Sequence, residues 1–142
     1  MSALAPTKRF DQVADGEELP ELAIELTPTL IISTAIASRD YQDVHHDIGL
    51  AQQRGTKNIF MNILTTNGLV QRYVNDWAGP EAFFKAIQIK LGAPNYAGDT
   101  MTLTGRVTAR TEDGGVVDIE VIGKNSIGKH VTAAVRLALP IA

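Results

Sequence analysis

The segment RDYQDVHHD, residues 39–47, places three aspartates and two histidines within nine positions. The chain on either side of it is mostly apolar or neutral. Side chains of these types support three interpretations: a metal site, an acid–base pair, or a solvent-exposed polar loop. The spacing of these residues indicates which of the three interpretations is best supported.

A metal site is the interpretation that the spacing favours least. His45 and His46 are adjacent, so their rings diverge in an extended or helical chain, and His130 is the only other histidine. The aspartates do not follow the spacing of an EF-hand loop. The chain has no cysteine, which excludes disulfides, a thiol nucleophile and thiolate zinc sites. We therefore predict no bound metal.

Asp40 and His45 suit an acid–base pair, because a loop can bring together two side chains that lie five positions apart. Imidazole exchanges protons near neutral pH. The start of a predicted helix near residues 59–63 offers unpaired backbone N–H groups and a positive dipole end, which would polarise a carbonyl. A base, an acid and an oxyanion site together are suited to adding water to a double bond conjugated with a thioester.

The elements around this segment argue against a merely solvated loop. LIISTAIA, residues 30–37, is rich in Ile and Thr and predicts a strand. Residues 47–54 predict a short helix with Asp47 as its cap and Gly55 as its stop. Apolar residues spaced by three and four over residues 58–80 predict a long, largely buried helix that ends at Gly79-Pro80. Pockets form where a sheet meets such a helix.

The second half of the chain changes to a period of two. Apolar and polar residues alternate around residues 87–91, 101–109, 117–121 and 131–139, and turn sequences separate these runs. We predict a four-stranded antiparallel meander packed on the long helix. This is the α+β hot-dog fold, a curved antiparallel sheet wrapped around one long central helix. Its open sheet edges predict pairing with a second copy or a homologue.

Length and composition bound the rest of the molecule. The 142 residues predict one domain over residues 21–142, after a weakly ordered segment over residues 1–20. A net charge of −3 argues against nucleic acid as a partner. The absence of a leader or a long apolar run predicts a cytoplasmic protein that does not contact membranes. GKNSIGKH, residues 123–130, nearly matches a phosphate-binding loop, but predicted strands on both sides favour a hairpin turn.

DYQDVH, residues 40–45, resembles the Asp-x-Asn-Pro-[apolar]-His motif of MaoC-type hot-dog hydratases in its Asp, its apolar residue and its His. Longer stretches also resemble the small subunits of actinobacterial steroid side-chain enoyl-CoA hydratases, the enzymes of cholesterol catabolism. These stretches are residues 39–47, 58–80 and 89–109. The resemblance covers about residues 20–139.

The resemblance implies hydration of a steroid 2-enoyl-CoA side chain to a 3-hydroxyacyl-CoA by the catalytic small subunit of a heteromer, without a cofactor. The implied partner is a larger hot-dog subunit with an appended acyl-CoA-associated domain, which docks a lipid-transfer-protein-like aldolase. His45 would activate water, and Asp40 would orient the water and return a proton. The backbone amide of Asn62 would lie in the oxyanion position.

Two departures from the family pattern leave alternatives open. Gln42 and Asp43 replace the Asn-Pro pair, which alters the stiffness of the loop. Met61 and Asn62 replace the His-Gly pair that usually opens the central helix, so Asn62 is equally well explained as a helix cap. The alternative functions are a hot-dog acyl-CoA thioesterase and a non-catalytic acyl-CoA-binding or scaffold subunit. We interpret His46 as structural, and Phe60 and Trp77 as core residues.

Overall fold

One five-stranded antiparallel sheet with a long helix against it forms the frame of the protein. The structure, a computed structural model, describes residues 5–141. The strands are β1 (Glu18–Glu25), β2 (Phe83–Leu91), β3 (Thr100–Thr111), β4 (Val116–Lys124) and β5 (Lys129–Ala138). The helices are α1 (Pro28–Ala37), α2 (Ile48–Gln53) and α3 (Ile63–Ala78). The predicted α+β architecture is confirmed.

The four strands predicted from alternation are all present, and the apolar residues of the alternating pattern are mostly buried in β3, β4 and β5 but only partly buried or exposed in the edge strand β2. In β4, for example, Val117, Ile119 and Val121 are buried while Glu120 is exposed. Their order differs from the predicted meander, because the sheet runs β1-β3-β4-β5-β2. Helix α3 contacts both edge strands, so it crosses the sheet and returns the chain beside β5 rather than β3. Alternation specifies the buried face of a strand but not its neighbour.

The prediction of a strand over residues 30–37 is wrong, because this stretch lies in α1. Thr27 caps α1 with its hydroxyl oxygen, which accepts from the backbone N–H of Leu30 at 3.0 Å. Pro28 follows at the first helical position, where its missing N–H costs nothing. Ile31 and Ala35, four positions apart, are both fully buried. The cap and the proline outweigh the strand propensity of Ile and Thr.

The described part of the segment predicted to be weakly ordered, residues 5–20, is packed. Phe10 and Val13 are buried in the core, and the N–H of Phe10 donates to the carbonyl of Pro140 at 3.0 Å. β1 begins inside this segment and pairs with β3. A register shift between Leu19 and Leu22 interrupts the alternation of β1, which explains why no period of two is visible there. Residues 1–4 lie outside the described residues.

The predictions for α2 are confirmed. The Asp47 carboxylate accepts from the backbone N–H of Leu50 at 3.0 Å and caps the helix. Gly55 has a φ of 94°, a left-handed conformation that suits glycine after a helix end. No helix within residues 5–141 is both long enough and apolar enough to cross a bilayer.

Helix α3 is confirmed, but its buried face differs from the predicted one. It starts after Asn62, ends at Gly79, and buries Thr65, Thr66, Leu69, Val70, Tyr73, Val74 and Ala78. Ile63 and Leu64 are half exposed in this chain. The helix is therefore not covered on all sides, although the sequence predicted that it would be largely buried. Trp77 packs against the core as predicted.

His130 joins α3 to the sheet and lies just after the turn that resembled a phosphate-binding loop. That turn connects β4 and β5, which confirms the hairpin interpretation. His130 is 2% exposed. Its Nδ1–H donates to the carbonyl of Ala93 at 2.7 Å, and its Nε2 accepts from the Thr66 hydroxyl at 2.8 Å. The imidazole is therefore placed as a neutral ring with one donor and one acceptor.

Acidification should destabilise the fold through His130. Burial lowers the pKa of His130 below its ordinary value of 6.5, and the hydrogen bond to Ala93 opposes this only in part. Below pH 6.5 the His130 side chain therefore binds a proton in the unfolded chain but stays neutral in the folded chain. The free energy of unfolding consequently decreases as the pH falls. The test is the melting temperature at pH 7.5 and at pH 5.5. We expect it to fall less between these two pH values for His130→Gln than for the wild-type protein. An equal loss in both proteins would contradict the prediction.

Candidate active site

The three aspartates of residues 39–47 do not converge on one point. Asp43 forms a bidentate ion pair with Arg54, with Nε–Oδ1 at 2.6 Å and Nη2–Oδ2 at 2.8 Å. The hydrogen bond from Arg54 holds the pKa of Asp43 below its usual value. Asp47 caps α2, and only Asp40 faces a histidine. Over residues 5–141 no cluster of three or more His, Asp or Glu side chains is arranged to hold a metal ion.

The Asp43–Arg54 ion pair ties the loop that carries Asp40 and His45 to α2. Asp43 stands at the position of the proline in the MaoC-type motif that residues 40–45 resemble. Proline would stiffen the loop by fixing its own φ. Here a bidentate ion pair to α2 restrains the same position. A 3-10 turn begins there and spans Asp43–His45.

Asp40 and His45 meet across this loop. His45 Nε2 lies 3.3 Å from Asp40 Oδ2, and the side chains are 9% and 24% exposed. Asp40 follows directly after α1, where Arg39 turns the chain with a φ of 57° and the N–H of Asp40 donates to the carbonyl of Ala35 at 2.9 Å. The end of α1 and the 3-10 turn thus bring the predicted acid–base pair together.

The backbone at Phe60 sets the tautomer of His45. The carbonyl oxygen of Phe60 lies 2.7 Å from Nδ1 and can only accept, so Nδ1 carries the proton. The ring of Phe60 packs edge-on against the imidazole at 5.0 Å between centroids. Nε2 is then the nitrogen that exchanges protons, and it is the one that faces Asp40.

Asp40 is held at both carboxylate oxygens. The backbone N–H of Gln42 donates to Oδ1 at 3.3 Å. The side-chain amide of Asn62 donates to Oδ2 at 3.2 Å. The carboxylate therefore presents one oxygen to the loop and the other to both His45 and the start of α3.

Asn62 is 1% exposed and caps α3. Its Oδ1 accepts from the backbone N–H of Thr65 at 3.0 Å and from the Thr65 hydroxyl at 2.5 Å. Within the described residues, its own backbone N–H donates to no other group. The helix start therefore offers a free amide and a positive dipole end next to a side chain that touches Asp40. Both explanations of Asn62 left open by the sequence are compatible with this geometry.

An open apolar groove of about 330 Å³ runs between α1 and α3. Its lining residues are Thr34, Ala37, Ser38, Leu64, Thr65, Gly68 and Leu69. Ser38 and Thr65 also hydrogen-bond to the Asn62 side chain, so the groove reaches the site. A Cβ built at Gly68 would meet no atom within 4 Å, so no neighbouring element packs closely against this glycine. Its missing side chain keeps the groove open.

A depression larger than this groove lies elsewhere on the surface. It measures about 770 Å³ and covers the exposed face of the sheet around the Asp118–Arg136 ion pair. None of its lining residues belongs to the Asp40–His45 site. We place the candidate active site by the convergence of polar groups on Asp40, because volume alone does not identify chemistry.

The sequence indicated Asp40, His45 and Asn62, and the structure brings all three together. The sequence did not indicate the roles of the Phe60 carbonyl and the Ser38 hydroxyl, or the contact between the side chains of Asn62 and Asp40. Only the cap role of Asn62 leaves a local signal, an Asn before a helical pattern. His46 is exposed where His45 is buried, as expected for adjacent rings that point apart.

The chain is similar in sequence and in fold to known hydratases. The chain is 54% identical over 124 residues to the 3-oxo-4,17-pregnadiene-20-carboxyl-CoA hydratase beta subunit of Mycobacterium tuberculosis, covering 87% of this chain and 95% of that protein. It matches a chain in the crystal structure of the M. tuberculosis ChsH1-ChsH2 complex with a TM-score of 0.86 and 54% identity, covering 89% of this chain and 98% of the other.

A more distant structure shares the fold. R-hydratase PhaJ1 from Pseudomonas aeruginosa gives a TM-score of 0.86 at 16% identity, covering 94% of this chain and 86% of the other. At that identity the likeness supports the hot-dog fold alone. No family model matches the chain.

Proposed function

The chain belongs to the MaoC-like hot-dog hydratases, in the family of the 3-oxo-4,17-pregnadiene-20-carboxyl-CoA hydratase beta subunit, and from this premise we propose that it hydrates a steroid 2-enoyl-CoA. The product is the corresponding 3-hydroxyacyl-CoA, an intermediate of steroid side-chain degradation. The observation that carries this proposal is the contact of Asp40 with His45 at 3.3 Å beside the start of α3.

The chemistry needs a base, an acid and a place for negative charge. His45 Nε2 takes a proton from water, and the water oxygen forms a bond to the β-carbon of the enoyl thioester. The electron pair of the double bond moves toward the thioester carbonyl. His45 passes the proton that it took from water to Asp40, and Asp40 delivers it to the α-carbon. Water has thus been added across the double bond with no net change in oxidation state. A positioned acid–base pair of this kind contributes about 10²- to 10⁴-fold to the rate.

The start of α3 supplies the place for negative charge. The backbone N–H of Asn62 has no partner among residues 5–141 and stands at the positive end of a 16-residue helix. We assign it to the thioester oxygen, where charge grows during the reaction. Its position next to Asp40 supports this assignment, because the carbonyl and the double bond of the substrate are conjugated and lie close together.

The groove between α1 and α3 would take the apolar part of the substrate. It lies beside the site, and most of its lining surface is apolar. Leu64, on its rim, is 52% exposed in this chain, and its neighbour Ile63 is 51% exposed, so apolar surface continues at the edge of the groove. A steroid ring system is apolar and rigid, so it would cover such a surface at low entropic cost.

We propose that the chain works as the small subunit of a heteromer in the cytoplasm. The relative is named a beta subunit, and the similar structure is a complex. Within residues 5–141, β1 and β2 are the edge strands of the sheet, and Phe83 on β2 is 68% exposed. The partner would be a larger hot-dog subunit whose appended acyl-CoA-associated domain docks a lipid-transfer-protein-like aldolase. Co-expression with such a subunit should give a stable complex on size-exclusion chromatography.

The ultraviolet absorbance of the enoyl thioester tests the activity directly. We expect the complex to remove this absorbance from a steroid 2-enoyl-CoA without releasing CoA thiol. Release of CoA thiol instead would identify a thioesterase. Unchanged absorbance and no thiol release would leave the scaffold role, in which the chain completes the site of another subunit.

A further inference from the structure

We propose that the side chain of Asn62 is a positioning residue that holds the Asp40 carboxylate against His45 and ties it to the start of α3. This inference rests on the proposed function for its effect on rate, but the contacts that carry it belong to the chain itself. It goes beyond the backbone role assigned to Asn62, because it concerns the side-chain amide.

The orientation of the Asn62 amide follows from its partners. Both the backbone N–H and the hydroxyl of Thr65 approach one atom, and a backbone N–H can only donate. That atom is therefore the amide oxygen. The amide nitrogen must then face the other way, toward Ser38 and Asp40.

Ser38 confirms this direction independently. Its hydroxyl donates to the carbonyl of Thr34 at 2.7 Å, so its oxygen is free to accept. The Asn62 nitrogen donates to that oxygen at 2.9 Å and to Asp40 Oδ2 at 3.2 Å. Both hydrogens of the amide nitrogen are thus used, and every donor in this network meets an acceptor.

Capping alone does not explain this residue. A cap needs only a side-chain oxygen, and Ser, Thr or Asp would supply it equally well. Asn62 is 1% exposed, and its nitrogen joins two groups that lie 22 and 24 residues earlier in the chain. A buried amide that satisfies all of its hydrogen bonds fixes the position of its neighbours.

The consequence concerns the geometry of Asp40. Its Oδ2 is the oxygen that faces His45, and the Asn62 amide holds that same atom from a second direction. Without the amide, the carboxylate keeps its contact with His45, and its only other hydrogen bond within the described residues is at Oδ1, from the N–H of Gln42 in its own loop. The carboxylate could then rotate away from His45, and a misplacement of about 1 Å can cost about 100-fold in rate.

Two substitutions separate positioning from capping. Asn62→Ser keeps a cap oxygen and loses the donor to Asp40, and Asn62→Asp keeps both shape and cap but replaces the donor with an acceptor. In the complex with the partner subunit, we expect Asn62→Ser to lower kcat by about 10- to 100-fold with KM changed less than about threefold. For Asn62→Asp we expect a further loss and a pH profile of kcat displaced to higher pH, because two neighbouring carboxylates compete for one proton.

Thr27→Ala is the matched control, since it removes the cap of α1 and touches neither Asp40 nor His45. It should lower the melting temperature while leaving kcat unchanged. A crystal structure of Asn62→Ser provides a readout that does not depend on activity. The Asp40 Oδ2–His45 Nε2 distance, 3.3 Å in the unchanged protein, should lengthen beyond hydrogen-bonding range.

An unchanged distance together with an unchanged kcat in Asn62→Ser would overturn the positioning role. If the complex that contains the wild-type chain hydrates no enoyl-CoA, the proposed function is wrong. The distance in the variant structure still decides the positioning role in that case, so the two failures are distinguishable.

Discussion

Replacing His45 with alanine should lower kcat for hydration of a steroid 2-enoyl-CoA by about 10²- to 10⁴-fold, the contribution of a positioned acid–base group. The variant loses the nitrogen that takes the proton from water. The carbonyl of Phe60 and the carboxylate of Asp40, both partners of the ring, stay in place. The measurement is the decay of enoyl-thioester absorbance in the complex with the partner subunit.

His46→Ala is the matched control for this variant, because it makes the same substitution at the next position. His46 is exposed, so its removal should change neither kcat nor the melting temperature. Circular dichroism should show the same spectrum for both variants and the unchanged protein. A folded His45→Ala variant that turns over at a near-normal rate would exclude His45 as the base.

Asp40→Asn should cause a loss of similar size, about 10²- to 10⁴-fold in kcat. An asparagine at this position keeps the shape of the side chain and an oxygen that can accept from Asn62 or Gln42. It cannot deliver a proton to the α-carbon, because an amide does not act as an acid in this pH range. KM should change little, since the substitution leaves the groove and the start of α3 intact.

Asp47→Asn makes the same chemical change in the same loop and serves as its control. Asn and Asp cap helices equally well, so α2 should remain capped and the rate unchanged. If both substitutions lowered kcat to the same extent, the loss would reflect the loop as a whole rather than the acid at position 40.

The sequence predicted the candidate pair well because its signal is local. Asp40 and His45 are close in the chain, and α2, the helix that follows them, has a readable start. The cap at Asp47 and the stop at Gly55 were visible for the same reason. Partners that are near in sequence can be inferred from residue type and spacing alone.

Two of the differences between the predicted and the observed fold arose where local signals conflict. In α1, strand-forming Ile and Thr residues stand behind a Thr-Pro helix start, and the buried pair Ile31 and Ala35 shows that helical packing prevailed. In β1, a register shift breaks the alternation, and the pairing with β3 compensates for it. Propensity over a short stretch does not decide such cases, because tertiary contacts override it.

By itself the sequence determined the α+β class, the strands β2 to β5, the helices α2 and α3, and the Asp40–His45 pair. Only the tertiary structure decided the strand order, the tautomer of His45 and the contacts of Asn62. The carbonyl that orients His45 lies 15 positions away, and the amide that holds Asp40 lies 22 positions away. Hydrogen bonds over such separations depend on how α1, the loop and α3 pack together, and no periodicity along the chain encodes them.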